Sequence, residues 1–111
     1  MHSKLKVIQS IGILDGIHGN KLRQETVDLI KSGTKNILLD CSKITFTDSS
    51  GLSAIVMMMK SAQQVNGKFA LCSLNDQLKA LLDLTSMDKV LNIVLDRDSF
   101  ISELMVSQSI I

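Results

Sequence analysis

The run NILLDCSKITFTDSSGLSAIVMMMK, Asn36–Lys60, decides how the chain is read. It opens on an apolar stretch of strand length, Ile37–Leu39 closed by Asp40, the pattern of a strand covered on both faces. It ends on apolar residues at helical spacing. Leu52, Ile55, Val56, Met59 and Ala62 predict one buried helical stripe, with the helix stopping near Asn66–Gly67. Between strand and helix lie a short connection and then Asp48-Ser49-Ser50-Gly51. Aspartate and serine start helices well, because their side chains accept from backbone N–H groups that the first turn leaves unpaired. On local chemistry alone Asp48 or Ser49 is an N-cap, and Gly51 lets the backbone pack closely in the first turn.

Outward from this centre the same alternation continues. KVIQSIGIL (6–14) reads as an edge strand or a short hairpin. DGIHGN (15–20) is a turn ending at a helix cap, Asn20, and Leu22, Thr26, Leu29 and Ile30 share one face of a helix from Lys21 to Ser32. Gly33 stands where a C-terminal glycine belongs. KFALCSL (68–74) is another buried strand, and NDQLKALLDLTSM (75–87) puts Leu78, Leu81, Leu82 and Thr85 on a third helical face. VLNIVL (90–95) is the expected last strand, DRDSFISELM (96–105) a last short helix capped by Asp98 or Ser99, and 105–111 a loose tail. Strands alternating with helices predict one α/β domain over 1–111: a small mixed sheet with packed helices, its parallel strands joined by right-handed crossovers.

Composition narrows the function. The 111 residues are 45% hydrophobic and 21% charged, with 12 basic against 11 acidic residues and a net charge of +1, an ordinary globular balance. No basic block exists to follow a phosphate backbone, and only Phe46, Phe69 and Phe100 could stack on bases, so direct nucleic-acid binding is not expected. The longest apolar stretch, Leu52–Met59, is too short to cross a bilayer, and MHSKLKVIQSIGIL lacks the features of an export signal. The expectation is a cytoplasmic domain without membrane contact. Cys41 and Cys72 have no metal-ligand spacing and read as reduced core residues. A serine nucleophile would need a base, and only His2 and His18 are available, so neither an enzyme nor a cofactor is expected.

A hydroxyl at a helix N-terminus can instead receive a phosphate, which free N–H groups and the positive end of the dipole favour by about 0.3–1 kcal/mol. Asp48 opposes this by like charge, so the modified side chain should point to solvent. At this point the residues carry a resemblance. ILLDCSKITFTDSSGLSAIV (37–56) resembles the central motif of the STAS-domain anti-sigma factor antagonists, in which a buried strand ends in Asp and D-S-[ST]-G-[LI] opens a helix. IGILD (11–15), the pair Leu22-Arg23, and NGKFALCSLNDQLKALLDLTSMDKVLNIVLDRDSF (66–100) match the family's other blocks in order and spacing.

The resemblance implies a phospho-switch. Ser49 would be the phosphate acceptor, with Asp48, Ser50 and Gly51 shaping the motif and Asp15 in the partner-binding surface. The unphosphorylated form would bind an anti-sigma factor that is also a serine-protein kinase, freeing sigma factor. Phosphorylation would break that complex, and a metal-dependent, PP2C-like serine phosphatase would reset it. Thr47 departs from the usual apolar residue, Ser53 from a frequent glycine, and Asn75-Asp76 from a frequent proline, departures that bear on which kinase fits. Met57 and Met58 point away from the expected core stripe, which makes Met58 a candidate for partner contact. Two rivals stay open: a receiver-like domain phosphorylated on Asp40, and a STAS scaffold or ligand-binding module in which the DSSG turn only caps a helix.

Overall fold

The computed structural model describes residues 4–109. Its centre is β3 (Asn36–Asp40), flanked in parallel by β1 (Leu5–Gln9) and β5 (Phe69–Cys72) in the order β1-β3-β5. Side chains alternate across this sheet as a period of two requires. Ile37, Leu39, Phe69 and Leu71 face one apolar cluster, whereas Leu38, Ala70 and Cys72 face another. On the first face pack α1 (Gly16–Lys31), α2 (Ser49–Gln64) and α3 (Asp76–Leu84). On the second lies α4 (Arg97–Ser109), anchored by the fully buried Phe100. Cys41 and Cys72 are free and buried, and they belong to opposite faces of the sheet.

The α/β architecture predicted from the sequence is present, with corrections of detail. Every strand pairing among the described residues is parallel, so the sheet is not mixed. Residues 6–14 form no hairpin. Gly12, at φ +82°, turns the chain after β1, and β2 (Gly12–Leu14) pairs instead with β4 (Ile44–Thr47) as a separate two-stranded unit. β4 is the strand that was expected to be a mere connection. Val90–Leu95 is not a strand either. The 3-10 turn at Met87–Lys89 holds Val90 and Leu91 through Met87 O, and only Ile93 bridges to Leu71. The last helix is capped by Asp96, whose Oδ1 accepts from Ser99 N at 2.8 Å, not by Asp98 or Ser99. It runs on through Ser109, so most of the expected tail is helical, and 110–111 lie outside the described residues.

α1 begins five residues before the predicted Lys21, and its cap is Asp15, not Asn20. Glycine inside a helix costs about 1 kcal/mol relative to alanine, but Gly19 has no room for a side chain. A Cβ there would fall 2.6 Å from Ala54 Cβ on α2. That crossing also explains Met58. Beside the predicted stripe of α2 runs a second buried row, Gly51, Ala54 and Met58, whose first two members lie against Gly19 of α1. Met58 is 0% exposed and Met57 is 39% exposed, so Met58 is a core residue and unavailable as a contact surface.

Replacing Met58 therefore tests the packing. Met58→Ala is expected to lower stability by about 2–5 kcal/mol in urea denaturation, and Met58→Lys to abolish the cooperative transition. Met57→Ala should shift stability by no more than about 0.5 kcal/mol.

Candidate functional site

The two short strands end side by side, with Leu14 opposite Thr47, and each is followed by an aspartate that caps a helix. Asp48 takes an extended backbone, φ −94° and ψ −178°, and its Oδ1 accepts from Gly51 N at 2.8 Å. Its carbonyl accepts from Leu52 N at 2.9 Å, and its own N–H donates to Leu14 O at 3.2 Å. Gly51 is held against the same carbonyl so tightly that a Cβ would fall 2.2 Å from Leu14 O. The glycine of the motif is thus required by the neighbouring strand.

Asp15 does for α1 what Asp48 does for α2. Its Oδ1 accepts from His18 N at 3.0 Å and lies 2.7 Å from His18 Nδ1. The His18 N–H, then its ring, hold the Asp15 carboxyl below the usual aspartate value of 3.8. His18 is therefore a partner of Asp15.

Ser49 and Ser50 open α2, and both are exposed. Their surroundings differ. Ser50 sits over Gly16, where a Cβ on the glycine would lie 3.6 Å from Ser50 Cβ, and it lines a groove of about 430 Å³ with Asp15, Asn20, Arg23 and Ser53. Beside the turn the outer face of the β2–β4 unit is apolar. Ile13 and Phe46 are cross-strand partners, 54% and 48% exposed, and Ile17 at the start of α1 is 69% exposed. The structure brings Asp15, Asp48, Ser49, Ser50 and Gly51 to one end of the two helices, and it leaves Met58 in the core behind them.

Two features escaped the sequence. Thr47 is 0% exposed, and its Oγ1 is buried with no hydrogen-bond partner among the described residues. Its main chain is held from 30 residues away by Gln77, which accepts from Thr47 N and donates to Thr47 O, each at 2.8 Å. Asp40, the rival acceptor, has both carboxylate oxygens engaged: Gln9 Nε2 donates to Oδ2 at 2.7 Å and Ser42 N to Oδ1 at 2.9 Å. Burial pushes the Asp40 carboxyl up, but these hydrogen bonds outweigh it and the group titrates below 3.8. No group of three or more His, Cys, Asp or Glu side chains among the described residues could hold a metal ion, and no described helix is long and apolar enough to cross a membrane.

Known proteins share this fold. The profile of the STAS domain matches residues 2–100. The chain is 27% identical over 106 residues to the anti-sigma F factor antagonist of Paenibacillus polymyxa, covering 95% of this chain and 91% of that one. It superposes with a TM-score of 0.82 on the crystal structure of a candidate anti-sigma factor antagonist from Thermotoga maritima, at 24% identity over 91% of this chain and 87% of the other. The Bacillus cell fate determinant SpoIIAA in its phosphorylated form gives a TM-score of 0.66 at 17% identity, covering 85% and 86%. At these identities the two structures show the fold alone, which also occurs as the STAS domain of a SulP transporter from Vibrio cholerae, with a TM-score of 0.72 at 14% identity.

The site's own chemistry gives two expectations. Thr47→Val removes an unpaired buried hydroxyl at constant shape and should raise stability by about 1–3 kcal/mol in chemical denaturation. Because Asp40 titrates below its unfolded value, its contribution is present above about pH 3.8 and is lost as pH falls through the folded value. Asp40→Asn should therefore flatten part of the acid limb of the stability–pH curve while leaving its neutral slope alone.

Proposed function

The chain belongs to the STAS domain family, and on that premise we propose that it is a cytoplasmic anti-sigma factor antagonist switched by phosphorylation of Ser49. In this reading the unmodified protein binds an anti-sigma factor that is also a serine-protein kinase, and so releases sigma factor. Phosphoryl transfer from ATP to Ser49 ends the complex, and a PP2C-like serine phosphatase restores the free hydroxyl. The chain acts as a binding switch and performs no catalysis of its own.

The observation that carries this reading is the difference between the two exposed serines. Both serines are exposed on a turn fixed by the Asp48–Gly51 hydrogen bond, but Ser50 lies within contact range of Gly16 and lines the groove, whereas Ser49 does neither. The turn is held by main chain and by Asp48, so a modified Ser49 can change the surface and leave the fold alone. The apolar face of Ile13, Phe46 and Ile17 supplies contact area beside the acceptor, and Asp15 supplies a charge at its edge. A relative named as an anti-sigma F factor antagonist, similar over nearly its whole length, points the same way.

The switch is electrostatic. Phosphorylation adds about −1.5 to −2 charges near neutral pH. Against an interface formed around a neutral hydroxyl, with Asp48 adjacent, that charge meets repulsion and uncompensated desolvation. A loss of about 3 kcal/mol weakens binding more than a hundredfold, so partner release needs no refolding.

Incubation with ATP and extract of its own cells should add one phosphoryl group at Ser49, read by intact-mass and fragment mass spectrometry and absent in Ser49→Ala. Ser49→Ala should hold the anti-sigma factor permanently, and Ser49→Asp should lose it at least tenfold by calorimetry while keeping the fold. Partner binding indifferent to every Ser49 substitution would instead favour a scaffold whose DSSG turn only caps a helix.

A further inference from the structure

The outer edge of β4 is closed by side chains where a further strand would otherwise lie. One edge of β4 pairs with β2. Along the other, Asn75 Nδ2 donates to Ile44 O at 3.1 Å and to Thr45 O at 3.2 Å. Gln77 follows with its two-point contact to the N–H and C=O of Thr47. Asn75 has a second task, since its Oδ1 accepts from Leu78 N at 2.8 Å and caps α3. Two amides at the start of α3 thus satisfy the β4 edge up to the residue before the Asp48 cap.

A primary amide that pairs with both polar groups of one residue fixes the two peptide planes on either side of it. Thr47 is that residue, and its following peptide joins Asp48, whose N–H and carboxylate set the turn that presents Ser49. Asp48 is held from Leu14 on one side, and Gln77 holds the strand end from the other. α3 itself stays docked through Leu78 and Leu82, which are fully buried, so its place in the core does not depend on the partly buried Gln77.

We propose that Gln77 is a positioning residue for the Ser49 turn, acting through the Thr47 main chain, with Asn75 as the second anchor. α3 thereby sets how firmly the acceptor serine is presented. Without the amide the end of β4 opens locally, Asp48 loses its fixed approach to Gly51, and Ser49 samples geometries in which its hydroxyl is not aligned for transfer. This inference rests on the reading of Ser49 as phosphate acceptor.

The test compares the full-length protein with Gln77→Met, which keeps the length of the side chain but neither hydrogen bond, and with Gln77→Ala. Amide hydrogen exchange is read residue by residue, and phosphoryl transfer to Ser49 is timed in ATP-supplied extract of its own cells. Both variants should speed exchange at Thr47 and Gly51 about tenfold, with core amides of β3 unchanged, and slow transfer severalfold. A Gln77→Met protein with the exchange and transfer rates of the parent overturns the proposal. Faster exchange with an unchanged transfer rate also overturns it, because the turn would then be loosened without consequence for the acceptor. If the parent itself takes no label beyond Ser49→Ala, the acceptor reading fails and this inference falls with it, an outcome the exchange data separate from failure of the Gln77 contact.

Discussion

The carbonyl of Leu14 and the first turn of α2 lie so close that no side chain fits between them. The rest of the site depends on this contact. It fixes a glycine at position 51, which lets Asp48 fold back onto the Gly51 N–H and start the helix. It also places the two strand ends, and hence the two aspartate caps and the two helices they begin, next to each other. A second close approach, Gly19 against Ala54, lets the two helices pack tightly just beyond their starts. Two serines at such a helix end are exposed because everything behind them is already occupied by main chain.

Much of this order can be read from residue types, and the reasons for the misses are physical. β3, β5, α2 and α3 carry apolar runs or stripes long enough to show their period, and their cores came out as expected at Leu52, Ile55, Met59, Leu78 and Leu82. β4 has only four residues with its ends buried and its middle exposed, a pattern that matches neither template. The early start of α1 was hidden by two glycines that look like a turn until their neighbour across the helix pair is known. Met58 was misplaced because a stripe reading assumes one buried face, whereas α2 is covered from two sides. Gln77 and Thr47 are 30 residues apart, and nothing local marks either as a partner of the other.

The helix-start turn was legible within its own four residues. Asp48, Ser49, Ser50 and Gly51 are contiguous, so one turn brings them together whatever the rest of the chain does, and Asp15 sits at a strand end where a cap is natural. What a contiguous motif cannot reveal is the difference between its two serines. That difference comes from Gly16, on another element, which Ser50 covers and Ser49 does not. Nor does the motif announce the apolar face next to it, because Ile13 and Phe46 become neighbours only through the β2–β4 register.

The two cysteines carry a consequence of their own. They sit on opposite faces of the central sheet, and burial pushes the Cys41 thiol up to about 12, with that of Cys72 also raised. Only the thiolate reacts, so two buried thiols held protonated at neutral pH are poor targets. Thiol oxidants therefore gain little hold on this pair, whereas Met57 and Met105, 39% and 55% exposed, offer peroxide an accessible sulfur.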